Sequence, residues 1–322
     1  MPKEILPGLY RIKIPLPETP LGSVNSYLIT SAERSLLIDT GMNRKECLRQ
    51  MLSALGELEV DLNATDFFIT HWHIDHLDLV SALATPSSRI YLNRIEAEAL
   101  ARGVGRRWQQ FVPFARQHGF PDGELEDMLT TRPPKYGPTE DLDFSIVGAG
   151  DEISVGDYTF VCLETPGHSP GHLCLYEPNR KILASGDHLL LEITPNVALW
   201  SDEVDRLKQY LESLDRVYEL DVQLVLPGHG RTFRDHRRRI RELKRHHEAR
   251  TSEILAILKD RERTVYEVAS RMTWNLSCES WEEFPTFQKW FAFGETFSHL
   301  VYLEEKAMVG RRTGEQVVFY SK

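Results

Sequence analysis

The sequence has 322 residues, which is long for a single compact core and predicts one large domain with a smaller one. Hydrophobic residues make up 41% and charged residues 27%, which is the ordinary balance of a globular protein. The formal net charge of -10 argues against bulk attraction to nucleic acid or to an anionic membrane, and no run reaches the roughly 18 apolar residues of a membrane span.

The N-terminal part alternates strand-like and helical segments, which indicates α/β layers. Lys3 and Glu4 open a polar, proline-punctuated stretch without the apolar region of a signal peptide, so we expect a cytoplasmic enzyme. Strands are predicted at 8–14, 24–30, 35–38, 66–70 and 89–92, and helices at 44–55 and 77–83. Asp39 directly follows the third of these strands.

The strand predicted at 66–70 ends in the segment with the strongest chemical signal. His71, His73, Asp75 and His76 place three imidazoles and one carboxylate within six residues. Alternation at this spacing lets His71 and His73 reach one point while Asp75 and His76 reach a neighbouring one. Imidazole and carboxylate are ligands that zinc, iron and manganese accept. The segment therefore predicts a metal site on the loop at the end of a buried strand.

Residues 95–141 interrupt the alternation of strands and helices and form a long insertion. Helical spacing is present at 95–101 and, with several aromatic residues, at 106–118. Four prolines then break the pattern: Pro121, Pro133, Pro134 and Pro138. An insertion beside a metal loop can cover the core, or it can form a lid or a wall of the substrate pocket, and the sequence leaves both roles open.

Short strands return at 144–147, 158–163, 173–176 and 181–184, and a helix at 205–220 precedes a last strand at 222–226. Three loops near these strands carry further candidate ligands, which are His168, Asp187 and His229. Each is flanked by glycine or proline, residues that permit tight turns around a crowded centre. Cys162 and Cys174 lie in apolar segments and are expected to be buried thiols. The four cysteines form no CxxC pair, so we expect no thiolate zinc site.

Residue by residue, this constellation resembles the metallo-β-lactamase-fold hydrolase superfamily, and within it the branch of glyoxalase II and lactamase-β-like protein 2. The signature HxHxDH is complete in His71–His76, and His168, Asp187 and His229 match the later ligands. Asp39 matches the structural aspartate of the family. The resemblance covers about residues 5–235 and implies the α/β fold class, as an αββα sandwich. It does not specify the substrate, because one fold hosts many reactions.

The resemblance also implies how two metal ions share the ligands. One ion takes His71, His73, His168 and Asp187, and the other takes Asp75, His76, His229 and the same Asp187. A carboxylate can bridge two cations, and cations roughly 3.5–4 Å apart can hold a hydroxide between them as the nucleophile. Asp75, which would orient the nucleophile, and Asp187 are therefore the candidate catalytic residues. We expect two divalent ions, with zinc first and iron or manganese as alternatives.

Two further histidines have no place in this ligand set. His172 is expected to be structural. His188 directly follows the bridging aspartate, and a contact with substrate is open for it.

The C-terminal third begins with a basic segment, residues 231–250, in which nine Arg or Lys stand against three acidic residues. A solvated outer helix would explain this composition. So would a phosphate-binding face for RNA or for the tail of coenzyme A.

Helices predicted at 263–271 and 283–303, followed by a hairpin with its turn at Thr313, resemble the winged-helix module of the same branch. We therefore expect a catalytic domain at 1–249 and a winged-helix-like domain at 250–322. Residues 250–322 contain ten basic and eleven acidic residues, so binding of nucleic acid is possible but not favoured. The aromatic residues of the second helix are expected to lie in a core.

Several functions remain open at this point. The first is hydrolysis of a small thioester or ester, with the insertion and the C-terminal module forming an acyl or pantetheine pocket. A metal-dependent endoribonuclease, favoured by residues 231–250, is the main alternative. A mononuclear iron sulfur dioxygenase would use the same early motif. A non-enzymatic alternative is a metal-binding fold that serves as a scaffold. The complete ligand set favours an enzyme with a small-molecule substrate and no membrane partner. The oligomeric state is left open.

Overall fold

The computed structural model describes residues 1–17, 19–102, 104–130, 142–199, 204–275 and 280–322, without the side chains of 104–110 and 129–130. Pro133, Pro134 and Pro138 of the predicted insertion and Cys278 lie outside the described residues. The chain forms two compact units by contacts between residues. The first comprises Met1–Arg102, Pro134–Pro195 and Ser213–Ile240, and the second comprises Gly103–Pro133, Asn196–Glu212 and Arg241–Lys322.

A seven-stranded sheet in the first unit follows the order of the chain. Its strands are β1 (Lys3–Leu6), β2 (Leu9–Pro15), β3 (Ser23–Ile29), β4 (Ser35–Ile38), β5 (Thr65–Phe68), β6 (Ile90–Asn93) and β7 (Phe144–Val147). Pairs from β1 to β4 are antiparallel, and pairs from β4 to β7 are parallel. The strands predicted in this region are confirmed within two residues at each end, whereas β1 was not predicted.

A five-stranded sheet completes the first unit. Its strands are β8 (Glu152–Val155), β9 (Tyr158–Glu164), β10 (Leu173–Glu177), β11 (Ile182–Gly186) and β12 (Leu224–Pro227), in the spatial order β12-β11-β10-β9-β8. All pairs are antiparallel except β11 with β12, which run parallel. The strands predicted here are again confirmed within two residues, and β8 was not predicted.

The two sheets pack face to face because the strand residues alternate between two apolar sides. Leu36 and Ile38 of β4 join a buried cluster that contains residues of both sheets. Leu37, between them, joins the cluster that the first sheet forms with the helix after β4. In β5, Phe68 joins the cluster between the two sheets, and Phe67 joins the cluster with the helix. A sheet buried on both faces needs helices outside it, so the expected αββα sandwich is confirmed.

The helices are α1 (Lys45–Glu57), α2 (Ile74–Leu77), α3 (Val80–Leu83), α4 (Arg94–Ala101), α5 (Val104–Gln117), α6 (Asp122–Thr130), α7 (Arg206–Tyr218), α8 (His236–Ile257), α9 (Val265–Ala269) and α10 (Thr286–Glu305). In the first unit, Ser213 of α7 donates a hydrogen bond to the carbonyl of Pro166, and Arg216 of α7 donates one to the carbonyl of Glu164, the last residue of β9. No described helix is long and apolar enough to cross a membrane. Cys162 and Cys174 are buried free thiols, as predicted.

The second unit has an apolar core of its own. Trp290, Phe293 and Phe297 of α10 are buried there with Phe120 and with Phe319 of the hairpin. This hairpin consists of β13 (Val309–Thr313) and β14 (Val317–Ser321). The prediction that the aromatic residues of this helix lie in a core is confirmed for these three and is wrong for Phe291, which is exposed. The winged-helix assignment and the boundary at residue 250 stay predictions.

A largely buried carboxylate in the second unit makes the stability of that unit depend on pH. Burial raises the pKa of Glu295 from 4.5 to about 6, although the nearby Arg250 and a hydrogen bond from Asn196 oppose the shift. The folded state therefore binds this proton more tightly than the unfolded chain does. The contribution of Glu295 is fully present below pH 4.5 and is lost as the pH rises to about 6.

We expect the Glu295→Gln variant to lose this component of the pH dependence, about 2 kcal/mol in the free energy of unfolding. Glutamine keeps an acceptor for Asn196 and cannot ionise. The measurement is urea denaturation at pH 4.5 and pH 7, with Glu315→Gln, an exposed hairpin residue, as the control. An equal pH dependence in the two variants would contradict the shift of Glu295.

Candidate metal centre

Asp39 directly follows β4, and its carboxylate orients two of the candidate ligands of the centre. Asp39 Oδ2 accepts from His76 Nδ1 at 2.8 Å, so the Nε2 atom of His76 faces away from it. The hydroxyl of Thr70 lies 2.9 Å from Asp39 Oδ2 and donates to it, and Thr70 Oγ1 in turn accepts from His71 Nδ1. Both imidazoles thereby present Nε2 to the same space.

The loop after β12 is held by strand β3 of the other sheet. Asn25 Nδ2 donates to the carbonyls of Pro227 and Gly230 at 2.8 and 2.9 Å. The hydroxyl of Tyr27 donates to the same carbonyl of Pro227 at 2.9 Å. His229 Nδ1 donates to the carbonyl of Ser23, which leaves its Nε2 for the centre.

All seven ligands predicted from the sequence come together in the first unit. Their nitrogen and oxygen atoms form three overlapping groups, each within 4.8 Å: His71, His73 and His168; His71, His76 and Asp187; and Asp75, His76 and His229. The Asp187 carboxylate lies among them. Its Oδ2 is 3.7 Å from His168 Nε2 and 3.4 Å from His229 Nε2, and its Oδ1 is 3.6 Å from His76 Nε2.

The seven side chains differ in their electrostatic surroundings. Burial, together with neighbouring imidazoles, lowers the pKa of His71 well below its usual value and the pKa of His73 to about 3. Burial also acts to lower the pKa of His229, but Asp187 and Asp75 outweigh it and raise the value to about 10. Burial opposes ionisation of Asp75, yet nearby histidines lower its pKa to about 2. The carboxylates thus attract positive charge to their side of the centre.

Unsatisfied buried atoms show that this donor set fits divalent cations. His76 Nε2, His229 Nε2 and Asp187 Oδ1 are buried and form no hydrogen bond with any residue that the structure describes. A buried polar atom without a hydrogen bond is costly. Imidazole nitrogen with carboxylate oxygen is a donor set suited to zinc, iron or manganese. The charge and the donor chemistry both match cations at this position.

Three residues around the centre have contacts that the sequence did not reveal. His172 accepts from the backbone amide of Asp187 at 3.2 Å and contacts Thr165 through Nδ1, so its structural role includes holding Asp187. Glu96 accepts from groups on both the His71–His73 loop and the His168 loop. His188 is buried, with a pKa lowered to about 3 by burial and by Arg216, which gives a substrate contact no support.

Gly228 leaves the room that the Asp187 carboxylate needs. A Cβ atom at this position would lie 2.4 Å from Asp187 Oδ1 and 2.8 Å from His76 Cε1. We expect Gly228→Ala to displace the carboxylate and to lower zinc affinity by about tenfold or more, measured by chelator competition. Gly56→Ala on α1 is the control, because nothing lies within 4 Å of its Cβ position. Equal affinities of the two variants would contradict this account.

Comparisons with known proteins agree with the geometry. The model of the metallo-beta-lactamase superfamily matches residues 19–229. A human protein named acyl-coenzyme A thioesterase MBLAC2 is 30% identical over 231 residues, which cover 65% of this chain and 74% of that protein. A Bacillus subtilis protein named probable metallo-hydrolase YqjP is 26% identical, and the alignment covers 96% of each chain. The chain covers only 62% of a lactamase-like protein, aptB, from Emericella nidulans.

Two solved structures match the chain over nearly its whole length. A metallo-beta-lactamase family protein from Thermus thermophilus is 31% identical, with a TM-score of 0.79, and the match covers 99% of this chain and 100% of that chain. A beta-lactamase domain protein from Burkholderia ambifaria has the same TM-score of 0.79 at 24% identity, and covers 99% and 94% of the two chains. The second likeness concerns the fold alone.

Proposed function

The chain belongs to the metallo-beta-lactamase superfamily, and we propose that it is a two-metal hydrolase that acts on a small thioester or ester. The observation that carries this proposal is the position of Asp187. Its carboxylate lies within 3.4–3.7 Å of imidazole nitrogens from both proposed ligand groups, His168 for one cation and His76 and His229 for the other, so it could be shared by two cations.

In this proposal, one cation is held by His71, His73, His168 and Asp187, and the other by Asp75, His76, His229 and Asp187. When bound, divalent cations supply a Lewis acid for the substrate carbonyl and lower the pKa of a coordinated water to about 7. Zinc is the first choice, because the donors are mixed nitrogen and oxygen without thiolate, and iron or manganese would also accept them.

The residues of the chain prepare the site in two further ways. His71 and His76 have no exposed surface, so their side of the centre excludes bulk water and strengthens electrostatic interactions there. The Asp75 side chain is 15% exposed, which makes it the carboxylate of the set most open to the solvent side. Asp75 would there accept a hydrogen bond from the attacking water and orient it.

A thioester is preferred as substrate partly because a relative with 30% identity is named an acyl-coenzyme A thioesterase. The endoribonuclease alternative depends on the basic residues of 231–250. Two of these arginines already bond to backbone in the first unit: Arg237 to the carbonyls of Tyr218 and Leu220, and Arg239 to that of Leu190. Guanidinium groups engaged in this way are less available to phosphates, which favours the thioester.

The test combines metal analysis with a substrate panel. The purified protein is assayed for zinc, iron and manganese, and for hydrolysis of acyl-coenzyme A thioesters of increasing acyl length, simple esters and single-stranded RNA. About two zinc ions per chain with thioester or ester turnover is the expected result. RNA cleavage that is absent from an Asp187→Ala variant would replace the proposal with the ribonuclease. One iron per chain without hydrolysis would replace it with the dioxygenase.

A further inference from the structure

Glu96 joins two of the loops that carry candidate ligands. It lies in the first turn of α4 and its side chain is fully buried. Its Oε2 accepts from the backbone amide of Trp72, the residue between His71 and His73, at 2.9 Å. Its Oε1 accepts from the hydroxyl of Ser169, the residue after His168, at 2.9 Å. Oε1 also accepts from the backbone amide of Gly171 in the same loop.

The surroundings of Glu96 leave it little freedom. Asn93, which ends β6, caps α4 by accepting from the amide of Ile95 at 2.8 Å, so the first turn is fixed. The loop after His168 approaches α4 closely. A Cβ atom at Gly171 would lie 2.5 Å from Asn93 Oδ1 and 3.0 Å from Glu96 Cγ. The carboxylate therefore occupies a rigid position between the two loops.

We propose that Glu96 is a positioning residue that sets the spacing of His71 and His73 relative to His168, and thereby the affinity of this one cation position. The inference rests on the proposed metal-dependent function. Each of the three donors needs an acceptor, and only an ionised carboxylate offers acceptors on both of its oxygens.

The second cation position depends on other contacts. His76 is oriented by Asp39, and His229 by the carbonyl of Ser23. Neither contact involves Glu96. A change at Glu96 is therefore expected to act on the His71, His73 and His168 group and to leave the group of Asp75, His76 and His229 intact.

The Glu96→Gln variant separates the two positions. Glutamine has nearly the same volume, but its amide nitrogen is a donor and would face either Trp72 or the Ser169 and Gly171 pair. One loop then loses its anchor. Loss of a residue that orients metal ligands typically lowers metal affinity by about 10–100-fold. We expect a loss of this size in one binding step and none in the other.

The experiment is a titration with Co²⁺ and Zn²⁺ against a competing chelator, followed by absorption and elemental analysis. His168→Ala and His229→Ala identify which step belongs to which group. Glu96→Gln should weaken the step that His168→Ala removes. The matched control is Glu98→Gln on the same helix, whose side chain is 54% exposed and which should bind like the wild type.

Two patterns overturn the inference while the proposed function stands. One is that the wild type and the Glu96→Gln variant each bind two cations, and that the variant has the wild-type affinity at both steps. The other is a Glu96→Gln variant that loses the step removed by His229→Ala. Wild-type protein that binds no cation overturns the inference and the proposed function together.

A merely structural role would lower the melting temperature of the metal-free protein without selecting one step. Melting curves of the metal-free variants are therefore recorded beside the titrations. If Glu96→Gln does not fold, Ser169→Ala takes its place, because it removes one donor and keeps the carboxylate. A loss of about threefold or more at the same step supports the inference, and unchanged affinity overturns it.

Discussion

Replacing Asp187 with alanine should abolish hydrolysis and leave the protein with fewer than two bound cations. Asp187 is the carboxylate whose oxygens lie 3.4–3.7 Å from imidazole nitrogens of His76, His168 and His229. Without it, each proposed cation loses a ligand, and the charge between the two positions is no longer compensated. We expect kcat to fall by about 10³-fold or more, a barrier increase of about 4 kcal/mol.

The control variant for this prediction is Asp157→Ala, because Asp157 lies in an exposed turn that is not part of the centre. Metal content by elemental analysis and turnover of the best thioester or ester are measured for both. Asp187→Ala protein that still holds two cations would refute the bridging role, and full turnover would refute the catalytic one. Circular dichroism verifies that both variants are folded.

Ending the chain after Arg250 should destroy the second unit and spare the metal ligands. The truncation removes α9, α10 and both strands of the hairpin, which supply most of the buried cluster of that unit. Ala115, Phe120 and Leu125 would lose their apolar neighbours. Each large buried side chain that is lost costs about 3–5 kcal/mol, and a whole domain is stable by only about 5–15 kcal/mol.

We therefore expect the truncated protein to lose solubility, and its soluble fraction to lose substrate affinity, more than it loses metal. All seven candidate ligands belong to the first unit. Soluble yield, KM and metal content are measured together. Phe297→Ala, fully buried on α10, tests the same core without truncation, and Phe291→Ala, 36% exposed on that helix, is its control. Unchanged solubility and kinetics after truncation would contradict a role of this unit.

Most of the fold was predictable because its signals are local. Strands such as β4 and β9 are short apolar segments bounded by turns, and helices such as α1 show regular apolar spacing. Helix α6 was not predicted, because Pro121 interrupts the helical pattern of the sequence. Pro121 in fact precedes the first turn of α6, where the missing amide of proline carries no cost. The pairing of β11 with β12 joins distant segments, and no local pattern indicates it.

The clustering of the candidate ligands was predictable to a similar degree. His71–His76 stand in one short loop, so their spacing alone indicates shared chemistry. The later candidate ligands, such as Asp187, were indicated by the family resemblance and not by spacing. Glu96 was missed because two of its partners are backbone amides, which every residue but proline possesses. No residue type in the sequence marks such a contact.

The bonds from Asn25 and Tyr27 to the loop that carries His229 have a consequence for biosynthesis. The side chain of Asn25 meets a carbonyl 202 residues further along the chain. At about 5–20 residues per second, translation delivers that carbonyl roughly 10–40 s after Asn25 itself. During this interval the loop that β3 holds in the folded protein has not yet been synthesised. The nascent protein can thus acquire its last candidate ligand, His229, only after every strand of both sheets has been synthesised.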